Sequence, residues 1–206
     1  MDILLASGNE HKKEELQRLL PGHVLHLPGD FGIGFDCEET GLTFEENAEQ
    51  KAMALKEAVE KSGRKDISEM GILADDSGLF VDALPGELGI HTARYGSKEG
   101  EKILSADEKN TLLLKNLKGV PQEKRTARFV CTLILLNKGK KYTATGIAEG
   151  RILEEKAVGD GGFGYDPVFF CNDAGCSMAT LPKGGKDLYS HRGKAARILL
   201  QQIENQ

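Results

Sequence analysis

Two adjacent carboxylates and a hydroxyl, Asp75-Asp76-Ser77, interrupt the run Ile72-Leu73-Ala74-Asp75-Asp76-Ser77-Gly78-Leu79-Phe80-Val81, which otherwise reads as buried strand. Burying an ionised carboxylate is costly unless a cation or hydrogen-bond donors compensate it. The pair must therefore turn out to water or meet charged partners. Asp at the first position and Gly at the fourth suit a type I turn. A metal or acid–base site is the other reading. A second acidic pair lies in the loop Glu38-Glu39-Thr40-Gly41, just before a helix signal. Adjacent acids in such a loop are ordinarily solvated. Yet hard oxygens from two separate loops, completed by water and phosphate, are what Mg²⁺ prefers, and Glu39 with Asp76 would supply them. Lys51, farther along that helix, is either a surface lysine or a cation facing phosphate.

Three further segments could hold an anion or a ring. At Ser7-Gly8-Asn9-Glu10-His11-Lys12 a strand passes into a helix. A helix start offers unpaired N–H groups and partial positive charge, to which Gly8 adds backbone access and Lys12 a full charge. The ordinary alternative is that Ser7 or Asn9 simply caps the helix, with His11 and Lys13 at the surface. The run Gly159-Asp160-Gly161-Gly162-Phe163-Gly164-Tyr165-Asp166-Pro167 contains a formal G-x-G-x-x-G. That fingerprint must open a helix, whereas Pro167-Val168-Phe169-Phe170 reads as strand. The run is a glycine-rich turn or a ligand loop with Phe163 or Tyr165 free to stack on a base. Ser190-His191-Arg192-Gly193-Lys194 places positive charge at a helix start, where the dipole disfavours it. His191 is structural or ligand-directed, and Arg192 could donate to a purine carbonyl as arginine does to guanine.

The elements that would position these groups follow from pattern. Met1–Ala6 reads as a strand, followed by a helix to about Leu20 that stops at Pro21-Gly22, and then by a strand over Val24–Leu27. Thr43 to Glu46 is a capping box opening a helix that ends near Gly63, and Ser105 to Glu108 opens another through Leu117. Gly71–Ala74 and Leu79–Val81 read as separate strands. Arg125–Leu136 and Lys141–Glu149 read as a hairpin, and a helix follows Ser190. Interspersed strands and helices indicate an α/β class with a mixed sheet, any second lobe coming from the middle of the chain. The 206 residues, 39% hydrophobic and 29% charged, can bury a sizeable core. With 27 basic against 32 acidic residues, a net charge of −5 and no basic block, binding to a nucleic-acid polymer is not expected. No apolar run suits a bilayer, and the four cysteines lack zinc spacing, so reduced thiols in a cytoplasmic protein are expected.

Taken in order, Ser7-Gly8-Asn9-x-x-Lys12, Glu38-Glu39-Thr40-Gly41, Phe44-x-x-Asn47-Ala48-x-x-Lys51-Ala52, Ala74-Asp75-Asp76-Ser77-Gly78-Leu79, Ala93-Arg94-Tyr95, Gly162-Phe163-Gly164-Tyr165-Asp166-Pro167 and Ser190-His191-Arg192-Gly193 span nearly the whole chain. Together they closely resemble the ITPase family, the XTP/dITP diphosphatases. The resemblance implies one domain over residues 1–206, an α/β fold with an elongated mixed central sheet, flanking helices and two lobes around a nucleotide cleft. It also implies a homodimer that uses Mg²⁺ to hydrolyse ITP, dITP or XTP to the monophosphate and pyrophosphate. Carried over by position, Ser7, Gly8, Asn9, Glu10, His11 and Lys12 hold the triphosphate, with Lys51 beside them. Asp76 is proton acceptor and metal ligand, and Glu38 and Glu39 form the other acidic metal site. Ser77 touches the nucleotide; Phe163, Gly164, Tyr165, Asp166 and Lys186 flank it; His191 and Arg192 read the base. The chain departs from the family pattern at Ala179-Thr180-Leu181 and His91-Thr92. A non-catalytic nucleotide sensor and a nicotinamide-dependent oxidoreductase are the rival readings, and Pro167 speaks against the second.

Overall fold

The structure is a computed structural model that describes residues 1–97, 100, 102–159, 163–182 and 184–205. Seven strands form one mixed sheet in the order β2-β1-β3-β4-β5-β6-β7. They are β1 (Asp2–Leu5), β2 (Val24–His26), β3 (Gly71–Val81), β4 (Thr126–Asn137), β5 (Lys140–Ile152), β6 (Phe169–Cys171) and β7 (Cys176–Ser177). β1 runs parallel to β2 and β3, with Leu5 opposite Leu73, while β6 is antiparallel to β5 and β7. The helices are α1 (Glu10–Leu19), α2 (Phe44–Ser62), α3 (Ala106–Asn116) and α4 (His191–Glu204).

The chain divides into two compact units, Met1–Asp76 with Cys131–Gly146 and Arg192–Gln206, and Ser77–Val130 with Ile147–His191. In the first unit the period-two alternation of strands sorts side chains onto two faces. Ile3, Leu5 and Leu73 pack with Leu16, Leu19 and Leu20 of α1 and Ala195, Ala196 and Leu199 of α4. Leu4, Ala6, Ile72 and Ala74 pack instead with Ala48, Ala52, Leu55 and Val59 of α2. The second unit has its own core, in which Leu79, Val81, Leu113, Leu117, Phe129, Val168 and Phe169 are buried.

Both capping boxes form: Thr43 Oγ1 accepts from Glu46 N while Glu46 Oε2 accepts from Thr43 N, and Ser105 and Glu108 do the same for α3. The hairpin closes through Lys138 and Gly139, both at positive φ (47° and 75°), the pairing a two-residue type I′ turn requires. One expectation is overturned. No turn separates Gly71–Ala74 from Leu79–Val81; β3 runs straight through Asp75-Asp76-Ser77-Gly78. The strand need not turn out to water because both aspartates find cations inside the first unit. Cys37, Cys131, Cys171 and Cys176 are free thiols, although Cys171 and Cys176 sit opposite one another between β6 and β7. Among the described residues no helix is long and apolar enough to cross a membrane.

Candidate active site

The strand β1 ends at Leu5, and Asn9 caps α1: its Oδ1 accepts from Lys12 N at 3.2 Å, and Ser7 Oγ accepts from Asn9 N at 3.1 Å. The capping reading is therefore correct for Asn9, and it leaves the niche open. A Cβ built at Gly8 would meet nothing within 4 Å. Ser7, Gly8 and Lys12 line a pocket of about 260 Å³ together with Phe35, Cys37, Glu39, Lys51 and Asp75. It lies past the carboxyl end of β1, where parallel α/β sheets commonly take ligands. Glu10 and His11 are exposed on the first turn of α1.

Asp75 is 1% exposed and faces α1 and α4. Its Oδ1 accepts from Lys12 Nζ at 2.9 Å and its Oδ2 from Arg192 Nη2 at 3.0 Å. Burial on its own would push this carboxyl up, but Lys12, Arg192 and Lys51 outweigh it and hold the group well below the usual carboxylate range. Arg192, 2% exposed, also donates from Nη1 to Glu15 Oε2 at 2.8 Å. The sequence reading aimed this guanidinium at a purine carbonyl. In the structure its terminal nitrogens donate to two buried carboxylates, because α4 packs on the face of the sheet that presents Asp75. The neighbouring Cys131 thiol is pushed up to about 12 by burial, which makes it inert.

Asp76 points to the other face, toward α2. Lys51 Nζ donates to its Oδ1 at 3.0 Å and Asn47 Nδ2 to its Oδ2 at 3.2 Å. The same ammonium lies 3.6 Å from Glu39 Oε1, so carboxylates from a strand and a distant loop meet at one cation. The start of α2 grips that loop: Asn47 Oδ1 accepts from Gly41 N, and Gln50 exchanges hydrogen bonds with Thr40. Gly41 is required there, since a Cβ would come within 2.6 Å of Glu46 Cβ and 2.7 Å of Asn47 Oδ1. Burial raises the Asp76 carboxyl above its ordinary value, and Lys51 only partly offsets this. Lys51 is itself raised: burial works against its charge, but Asp75, Asp76 and Glu39 prevail. A carboxylate kept readier to accept a proton, with a second carboxylate meeting it at one ammonium, is an arrangement suited to hydrolysis.

Among the described residues no cluster of three or more His, Cys, Asp or Glu side chains could hold a metal ion. The protein itself offers Glu39 and Asp76, while Glu38 is exposed and takes no part in the Lys51 contacts. Glu39 lines the pocket and meets Asp76 at Lys51, and hard oxygens of this kind suit Mg²⁺, which keeps several waters and takes its other oxygens from substrate.

The second unit gathers a different set. Asp166, 6% exposed, accepts from Phe163 N at 2.7 Å and from Lys186 Nζ at 2.9 Å through the same oxygen. The Lys186 ammonium lies 4.2 Å from the centroid of the Phe163 ring, which is 47% exposed. Asn110 of α3 donates to Gly164 O, and Tyr165 OH donates to Thr92 O at 3.0 Å, which buries Tyr165 and leaves Phe163 as the accessible ring. His191 stacks on Phe129, with ring centroids 4.8 Å apart and planes 12° from parallel. Ser77 is half-buried in β3. Asp160, Gly161 and Gly162 lie outside the described residues. Asn47 and Glu15 were not assigned roles from the sequence. Asn47 had a signal, sitting four residues before Lys51 on one helix face, as did Glu15, three after Lys12.

Fold and site together define a mixed α/β protein whose first parallel strand ends at a pocket lined by Lys12 and Lys51 beside the carboxylates of Glu39 and Asp75. The chain belongs to the Ham1 family, whose model matches residues 3–202. It is 49% identical to a dITP/XTP pyrophosphatase of Treponema denticola, over 95% of this chain and 94% of that one. It is 41% identical to a dITP/XTP pyrophosphatase of Shigella flexneri, over 98% of both. Its structure is similar to that of the Staphylococcus aureus Ham1 protein, with a TM-score of 0.81 at 33% identity, covering 100% of this chain and 99% of that one.

Proposed function

We propose that this protein hydrolyses deaminated purine nucleoside triphosphates, dITP, ITP and XTP, to the nucleoside monophosphate and pyrophosphate. The observation that carries the reading is Lys51 held between Asp76 and Glu39 beside the niche of Ser7, Gly8 and Lys12. The names of the relatives, dITP/XTP pyrophosphatase, point to the same substrates. Asp76 orients a water and takes its proton as the oxygen attacks the α-phosphorus. The α–β phosphoanhydride bond breaks, and its electron pair leaves with pyrophosphate. Asn47, donating to Oδ2, keeps the carboxylate aimed. Lys12 and Lys51 stabilise the charge that develops on the departing β- and γ-phosphates. Mg²⁺, held by Glu39 and Asp76, would neutralise phosphate charge when bound. In the second unit, Phe163 stacks on the base and Lys186 with Asp166 steadies that ring.

A homodimer and a cytoplasmic location belong to the same reading and are supported by the family resemblance. Incubation with ITP and Mg²⁺ should yield IMP and pyrophosphate, with ITP and XTP turned over far faster than ATP. Release of orthophosphate with IDP, nucleotide binding without turnover, or equal kcat/KM for ITP and ATP would overturn the proposal.

A further inference from the structure

Helix α3 buries an amide where its pattern calls for a hydrocarbon. Asn110 and Leu113 lie three residues apart on its inward face, and Leu117 at the cap extends that face into the core of the second unit. Asn110 is 3% exposed. Its Nδ2 donates to Gly164 O at 2.9 Å, and because a carbonyl only accepts, this contact fixes which way the amide faces. Its Oδ1 is then buried with no hydrogen-bond partner. A leucine at this position would avoid that cost, so the use of an amide lies in its donor.

The carbonyl it holds belongs to the turn that carries the exposed ring. Gly164 sits at a φ of 63°, between the accessible Phe163 and the buried Tyr165. Within the turn, Asp166 Oδ2 accepts from Phe163 N at 2.7 Å, and Asp166 N donates back to Phe163 O at 3.2 Å. Tyr165 OH donates to Thr92 O, which anchors the chain after the glycine but not the glycine itself. Glycine enters the left-handed region without strain, yet it leaves that region as easily. A Cβ built at Gly164 would meet nothing within 4 Å, so side-chain packing could not hold it there. We propose that Asn110 is a positioning residue for the base: from α3 it locks the glycine that follows Phe163 and so keeps that ring presented for stacking. All of these residues lie within the second unit.

The inference deepens the triphosphate reading and rests on Phe163 stacking against the base, so the test separates the two. Each half of the substrate can be probed as an inhibitor of ITP hydrolysis, inosine for the base and inorganic tripolyphosphate for the phosphates. Asn110→Leu should raise the inosine Ki and the KM for ITP about fivefold, less than loss of the whole stack. The tripolyphosphate Ki and kcat should stay within about twofold. In a Phe163→Ala background, Asn110→Leu should add less than about twofold to KM, because the ring it positions is gone. If Asn110→Leu does not fold, the near-isosteric Asn110→Asp, which as a carboxylate has no donor, is judged by the same readouts. An unchanged inosine Ki and KM would overturn the inference. So would a parallel rise in the tripolyphosphate Ki, or an undiminished effect in the Phe163→Ala background, since either shows general loosening. Should Phe163→Ala itself leave KM and the inosine Ki unmoved, the stacking reading falls and takes the inference with it. A wild-type protein inert toward ITP would instead bring down the triphosphate reading.

Discussion

The two units hold their candidate ligand groups in opposite ways. In the first, the charged groups other than Glu39 on its loop are rooted in helices and a strand: Asp75 is 1% exposed, and the Lys51 and Asp76 side chains are 11% and 12% exposed. In the second, the accessible group is Phe163, a 47% exposed ring in a glycine-containing loop, steadied by one ammonium and one carboxylate. Fixed ionised groups must keep sub-ångström geometry and a defined protonation state, which rigid elements and mutual pairing provide. A ring that slides under a flat base needs only a surface and modest freedom, which a loop supplies. Chemistry should therefore fail when the first unit is altered, and affinity or selectivity when the second is.

The sharpest way to break that contrast is Asp76→Asn. Loss of a positioned base should lower kcat by about 10³-fold while ITP binding stays within a few-fold, measured by pyrophosphate release and by calorimetry. A variant that kept kcat would remove Asp76 from the chemistry. Asp75→Asn tests stability instead. It leaves Lys12 and Arg192 short of a buried counter-charge and should cost about 3–5 kcal/mol in urea unfolding at pH 7. Because the folded carboxyl lies below its unfolded value of 3.8, its contribution is present above that pH and drains away as pH falls further. The gap between wild type and variant should thus narrow below about pH 4.

Lys51→Met sharpens the electrostatic side. It should lower kcat/KM by about 10²-fold. Asp76 must be ionised to act as a base, and burial raises its carboxyl, so the acid limb of kcat/KM should lie above that of an ordinary aspartate. Lys51 pulls the other way, so removing it should move that limb to still higher pH. A limb that stayed put would mean that Lys51 does not tune this carboxyl. The smallest effect is expected in the second unit: Phe163→Ala should raise KM for ITP about tenfold with kcat nearly unchanged, in line with the worth of one base stack. A large loss of kcat there would erase the division between the units.

The parts of this design legible in the sequence were those written locally. Thr43 with Glu46 and Ser105 with Glu108 announce helix starts within four residues, and both form. The hairpin was read as well, although its strands reach Asn137 and start again at Lys140, one residue further on each side than the pattern gave. The continuity of β3 was not, because the groups that let Asp75 and Asp76 stay in a strand lie 63, 117 and 25 residues away at Lys12, Arg192 and Lys51. The buried partners of Arg192 were hidden for the same reason. A cation at a helix start points toward an anion, but nothing nearby shows that two buried carboxylates will claim it. Asn47 was missed because its neighbours Thr43 and Glu46 account for the helix start without it. Its bond to Asp76 spans 29 residues.

The unbroken run of β3 sets a frame as strict as a reading frame. Asp75 and Asp76 are neighbours along the backbone, yet the sheet lies between their side chains, and each answers to its own helices. Inserting or deleting one residue just ahead of them would exchange their faces. The carboxylate matched to α1 and α4 would then confront α2, and Asp76 would be sealed among Lys12, Arg192 and Glu15. Length changes in this strand should therefore be far less forgivable than substitutions, even though neither aspartate would be lost.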